Sequence, residues 1–164
     1  MKTICLTGMM GSGKTTIAKL LSKSSGIKVV DTDSLIVENE GMEISEIFKQ
    51  KGEAYFRQVE KDAIKNAFQP ENMVISLGGG AFEDEDTRNF LLNNSDVIYL
   101  QTSAKIIYER LKNDKSRPLL CGNMSVERIA EIIKKRENNY LSANKIIDTD
   151  NKSPKEIVAE LSND

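Results

Sequence analysis

Gly8-Met9-Met10-Gly11-Ser12-Gly13-Lys14-Thr15 joins three glycines, a lysine and a hydroxyl in one short stretch. Glycines adopt backbone angles that a Cβ forbids, so successive N–H groups can turn inward around an anion. A lysine at the end of such a loop reaches β- and γ-phosphates, and a following threonine hydroxyl can ligate Mg²⁺. The pattern G-x-x-x-x-G-K-[ST] needs a strand before it and a helix after it. Thr3-Ile4-Cys5-Leu6-Thr7 is apolar and β-rich, and Ile17, Leu20 and Leu21 recur at helical spacing from Lys14 onward. A chance lysine in a glycine-rich turn would not explain a match at every fixed position of the pattern in that context. The stretch predicts a site for a nucleoside triphosphate with Mg²⁺, with the helix N-terminus adding its partial positive charge.

Four further stretches carry groups suited to a second ligand. In Val29-Val30-Asp31-Thr32-Asp33, two carboxylates close an apolar run. Residues two apart in a strand point the same way, so both acids are expected to face one crevice. One suits Mg²⁺ through its water shell, the other a substrate hydroxyl. The competing reading is that Asp33 or Ser34 only caps the next helix. In Tyr55-Phe56-Arg57-Gln58-Val59-Glu60, Arg57 and Glu60 are spaced to pair on one helical face, whether at a site or as a solvated ion pair. Gly78-Gly79-Gly80 ends another apolar run, and either another molecule comes close there or the chain simply turns. Arg117, in Ser116-Arg117-Pro118-Leu119-Leu120, and Arg136, in Lys134-Lys135-Arg136, could meet a transferring phosphate and a carboxylate, or could be surface arginines.

These groups need a scaffold. Strand candidates are Ile4–Thr7, Lys28–Asp31, Met73–Leu77, Val97–Leu100 and Lys145–Asp148. Helical patterns lie near 14–24, 34–49, 53–67, 84–93, 104–112, 125–140 and 154–162. Buried strands alternating with helices predict a parallel sheet covered on both faces. Ligands then collect beyond the carboxyl ends of the strands, where the motifs fall. The polar stretch 113–123, with Pro118 and Gly122, has the length of a functional lid.

Composition narrows the chemistry. The chain has 164 residues, the length of one domain. Its net charge is −2 with scattered basic residues, so no nucleic-acid surface is expected. No apolar run approaches a membrane span, and Met1-Lys2 leads straight into a strand, so neither membrane nor signal peptide is expected. Cys5 and Cys121 read as free thiols in a reducing cytoplasm. The absence of histidine rules out His-based triads and metal sites, but phosphoryl transfer needs positioning and charge, not a covalent enzyme group. No long exposed apolar stripe calls for an obligate partner, so a monomer is expected.

Taken in order and spacing, GMMGSGKT, DTD, FRQVE, GGGA, SRPLL and the arginine of KKRENNY resemble shikimate kinase from Lys2 to about Leu161. The resemblance implies a nucleoside-monophosphate-kinase-like P-loop fold, α/β in three layers, with a five-stranded parallel sheet and a mobile lid. It implies one kinase domain over 1–164, with the P-loop at 8–15, a substrate-binding region near 33–61 and the lid near 113–123. The implied activity is Mg²⁺-dependent transfer of the ATP γ-phosphate to the shikimate 3-hydroxyl, on the route to chorismate and aromatic amino acids. Gly11, Ser12, Gly13, Lys14, Thr15, Thr16, Arg110 and Arg117 would hold ATP. Thr15, and Asp31 through water, would hold Mg²⁺. Asp33, Arg57, Gly79, Gly80 and Arg136 would hold shikimate, with Lys14, Asp33 and Arg117 acting in catalysis. Phe48, Phe56, Glu60, Pro118 and Leu119 would wall the pocket, and 149–154 would line the adenine. The alternatives are a gluconate or nucleotide kinase of the same fold, or a non-catalytic nucleotide-binding module.

Overall fold

The apolar runs form five short strands: β1 Ile4–Thr7, β2 Lys28–Asp31, β3 Met73–Ser76, β4 Asp96–Gln101 and β5 Lys145–Asp148. All pair in parallel, in the order β2-β3-β1-β4-β5. The computed structural model describes residues 2–113 and 124–162. Among these, the helices are α1 Lys14–Ser25, α2 Thr32–Glu40, α3 Ile44–Lys51, α4 Glu53–Ala67, α5 Glu85–Asn94, α6 Ala104–Leu111, α7 Val126–Tyr140 and α8 Pro154–Ser162.

The central strands β1, β3 and β4 are largely apolar because both faces are covered. Cys5, Ile75, Val97 and Tyr99 pack into one core with Ile64, Leu91 and Tyr140, from α4, α5 and α7. Their neighbours Leu6, Val74, Ile98 and Leu100 pack into a second core with Ile17, Leu21 and Ile157, from α1 and α8. That alternation is the two-residue period of a strand. A third cluster, Met9 and Met10 against Ile107, Leu111 and Ile129, fastens the glycine-rich loop to α6 and α7.

One expected element differs. The pattern over 34–49 predicts a single helix, whereas the chain makes two. Gly41 adopts a left-handed φ of 65° and its N–H bonds to the Val37 carbonyl, which ends α2. Glycine is the residue that takes this helix-ending conformation without strain. The break lets α2, α3 and α4 pack around Ile36, Ile47 and Phe56 as an arm beside the sheet. Each of these buried side chains is worth about 1.5–3 kcal/mol.

Candidate active site

The loop after β1 lies at the switch point of the sheet, because β1 is flanked by β3 on one side and β4 on the other. Two of its glycines are required by close approach. A Cβ on Gly8 would lie 2.7 Å from the Leu100 carbonyl oxygen, and one on Gly11 would lie 2.9 Å from Leu111 Cγ. Both also have positive φ. The Lys14 ammonium is buried and donates to the carbonyls of Gly8 and Met9, each at 2.9 Å. Gly13 precedes α1 without a side-chain cap, so the helix start is left to a ligand. Arg110 donates to the Gly11 carbonyl at 2.8 Å from the exposed face of the loop.

A cavity of about 410 Å³ opens over this loop, lined by Gly11, Ser12, Gly13, Lys14, Thr15 and Thr16 and by Asp31, Asp33 and Arg110. Thr149, Lys152 and Pro154 line it too, in the segment that the resemblance expects to line the adenine. Thr149 is fixed by a 2.6 Å contact with the Thr102 hydroxyl, and Asp150 accepts from the Ser103 N–H.

The two carboxylates of DTD converge for a different reason from the strand period. Asp31 is the last residue of β2 and caps α2, accepting from the Ser34 N–H at 3.1 Å, while Asp33 lies in the first turn of that helix. The cap expected of Asp33 or Ser34 therefore belongs to Asp31. Its other oxygen accepts from the Thr15 hydroxyl at 2.6 Å. Burial alone would raise the Asp31 carboxyl. Bonds from Thr15, the Ser34 N–H and Ser76, with the Lys14 charge, overcome it and hold the carboxyl below its usual value.

The ionised Asp31 beside a threonine hydroxyl is a hard-oxygen donor set, which fits Mg²⁺ completed by water and phosphate oxygens. Among the described residues no group of three or more His, Cys, Asp or Glu forms an all-protein cage. Mg²⁺ bound through substrate phosphates does not require one.

The glycine triplet is where the second half of the site meets. A Cβ on Gly78 would lie 2.8 Å from both Asp33 Oδ1 and Glu60 Oε2. On Gly79 it would lie 3.1 Å from the Met10 nitrogen, and on Gly80 2.8 Å from the Arg57 guanidinium. The groups that come close are thus the chain's own, packed across the missing side chains. Thr32 fixes the turn, accepting from the Gly78 N–H at 3.1 Å and donating to the Ser76 carbonyl at 3.3 Å.

Arg57 and Glu60 form a 2.8 Å ion pair, but not a solvated one, since Glu60 is 4% exposed. Burial pushes the Glu60 carboxyl above its usual range; Arg57 pulls it back and the nearby Asp33 charge adds to the rise. Phe56 is buried, its ring 4.7 Å from that of Phe48. Arg136 is also buried and donates to the Gly79 carbonyl at 3.0 Å. Arg57, Gly80 and Arg136 line a second cavity of about 630 Å³ that shares no lining residue with the first.

Arg117, Pro118 and Leu119, with nearly all of the stretch 113–123 and Cys121, lie outside the described residues. Thr32 and Tyr140 join the site without being among the expected residues. Tyr140 alone had a usable signal, lying four residues after Arg136 on one helical face.

A family model described as shikimate kinase matches residues 10–164. A shikimate kinase of Sulfurihydrogenibium sp. (strain YO3AOP1) is 44% identical over 161 residues, covering 98% of this chain and 96% of that protein. One of Persephonella marina is 42% identical over 161 residues, covering 98% and 97%. A solved shikimate kinase from Acinetobacter baumannii in complex with shikimate superposes with a TM-score of 0.94 at 29% identity, over 99% of this chain and 91% of that one. With its phosphate loop and dispersed arginines placed as described, the chain belongs to the shikimate kinase family.

Proposed function

We propose that this chain transfers the γ-phosphoryl group of ATP to the 3-hydroxyl of shikimate, giving shikimate 3-phosphate and ADP. The observation that carries this reading is the glycine triplet. Asp33 is packed against Gly78, and Arg57 and Arg136 against Gly80 and Gly79. A hydroxyl acceptor, a half-buried cation and a buried one therefore meet at the triplet, whose Gly79 packs against the phosphate loop. A nucleotide acceptor offers a phosphate and a base, whereas shikimate offers one carboxylate and several hydroxyls on a small ring. Two arginine forks suit the carboxylate.

The residues divide the work. Gly11–Thr16 and Lys14 bind and orient the triphosphate, and Arg110 holds the loop from outside. Thr15, and Asp31 through water, would hold Mg²⁺, which would supply positive charge against the phosphates. Asp33 orients the shikimate 3-hydroxyl and can take its proton. The loose transition state of phosphoryl transfer makes early deprotonation unnecessary, so orientation is its main role. Arg57 and Arg136 grip the carboxylate, with Glu60 holding Arg57. ATP and shikimate are the partners of a monomeric, cytoplasmic enzyme of one domain, whose acceptor region is near 33–61. Among the described residues no helix is long and apolar enough to cross a membrane.

A coupled assay of ADP release tests this. Release that depends on both shikimate and Mg²⁺ is the expected result. Equal release without shikimate, or with gluconate or a nucleoside monophosphate in its place, rejects it.

A further inference from the structure

Tyr140 is the last residue of α7 and is fully buried. Its hydroxyl donates to the Gly79 carbonyl at 2.6 Å, and the same oxygen accepts from Arg136 at 3.0 Å. One carbonyl, with two lone pairs, thus joins the triplet to two residues of α7. The ring beneath that hydroxyl stacks on Tyr99 of β4, with centroids 4.7 Å apart and planes 18° apart. The hydroxyl is therefore held at the end of a rigid column that starts in the sheet.

The peptide between Gly79 and Gly80 is trans, so its C=O and N–H lie in one plane and point opposite ways. Fixing the Gly79 carbonyl fixes the direction of the Gly80 N–H as well. Gly80 and Arg136 both line the acceptor cavity, and Gly79 itself is wedged against the Met10 nitrogen of the phosphate loop. We propose that Tyr140 is a positioning residue for the acceptor. Through the Gly79 carbonyl it sets both the Arg136 guanidinium and the Gly79–Gly80 peptide for shikimate. The inference rests on the shikimate reading above. Burial raises the pKa of the Tyr140 phenol, so it remains a donor through neutral pH.

The test is Tyr140→Phe, which removes one oxygen and keeps the stack on Tyr99. Gly79 keeps its bond from Arg136, and near-ultraviolet circular dichroism checks that the fold is retained. The expected result is a rise of about three- to tenfold in KM for shikimate, the size of one hydrogen bond. The same rise is expected in the calorimetric Kd for shikimate, with KM for ATP unchanged. Tyr99→Phe, which keeps the ring stack and the Tyr140 hydroxyl, should leave both constants alone. In an Arg136→Lys background the loss in kcat/KM for shikimate on Tyr140→Phe should shrink, because both residues act on one carbonyl. An unchanged KM for shikimate overturns the proposal. So does an equal change in both KM values, or a loss of the same size in the two backgrounds, since a merely structural tyrosine would behave so. Wild-type protein lacking shikimate-dependent turnover overturns the acceptor reading, and this inference with it.

Discussion

The two halves of the site are built in opposite ways. The phosphate side is one unbroken stretch, Gly8–Thr16, folded on itself, with its lysine bonded to its own loop carbonyls. The acceptor side is gathered from α2, α4, the turn after β3 and α7, with Gly79 and Arg136 separated by 57 positions. A phosphate is a compact anion that backbone N–H groups and one helix end can hold whatever the fold around them. A ring with one carboxylate and several hydroxyls needs side chains arriving from several directions. The first half therefore identifies a class of ligand and the second a particular one.

The largest expected effect falls on the half that does not discriminate. Lys14→Ala removes the cation proposed to act on the transferring phosphates, and kcat should fall by about 10³–10⁵, the scale of transition-state cations in this chemistry. A folded variant with near-native turnover would break the assignment of that loop. Asp33→Asn, on the border between the halves, should cost roughly 10²–10⁴ in kcat. A pH–rate profile of unchanged shape in this variant would assign Asp33 to orientation, and loss of its acidic limb would assign it to proton transfer.

The same contrast explains what could be read in the sequence. A contiguous motif carries its own context, so strand, loop and helix were legible from Ile4 to Leu21, as was the alternation that gives a parallel sheet. Asp33, Arg57 and Arg136 were legible only as a set, because each alone matches a helix cap, a solvated ion pair or a surface arginine. The burial of Glu60 and Arg136 that excludes the last two readings arises from tertiary packing, which no local pattern records. The triplet shows this most clearly: three glycines signal a close approach but not what approaches. The break at Gly41 was visible as a glycine within a helical pattern. An isolated glycine is tolerated in helices, so the local pattern does not by itself separate a break from a continuous helix.

The discriminating half should fail selectively. Removing one partner of a buried charged pair costs about 2–5 kcal/mol, so Arg57→Ala or Arg136→Ala should weaken shikimate binding at least about tenfold. ATP affinity should change little. Lysine should rescue only in part, lacking the planar fork. A shikimate analogue with a neutral amide for the carboxylate should bind wild type poorly and lose most of the difference between wild type and the arginine variants. Calorimetry with each ligand measures all of this. If the arginine variants lose ATP instead, the division between the halves fails.

The smallest effect compares one carboxylate from each half. Asp31 is held below its usual pKa of 3.8, so its folded form binds fewer protons than the unfolded chain. It contributes stability above that value and loses it as pH falls. Glu60 is raised above its usual 4.5, chiefly by burial, so the fold holds its proton more tightly. Its contribution is present below 4.5 and is lost as pH rises through the raised value. Asparagine and glutamine imitate the protonated acids and do not titrate. The difference in Tm between Asp31→Asn and wild type should therefore grow more negative from pH 3 to pH 6. For Glu60→Gln the difference should move the other way, in favour of the variant, over a window that begins near pH 4.5. For a chain of this size about 2–4 °C corresponds to 1 kcal/mol, so slopes of a few degrees are within reach of thermal scans in low salt. Slopes of the same sign would mean that the fold does not tune the two acids oppositely. Opposite slopes would sharpen the contrast: the phosphate side keeps an anion ready for a metal, and the acceptor side keeps a buried acid that needs Arg57.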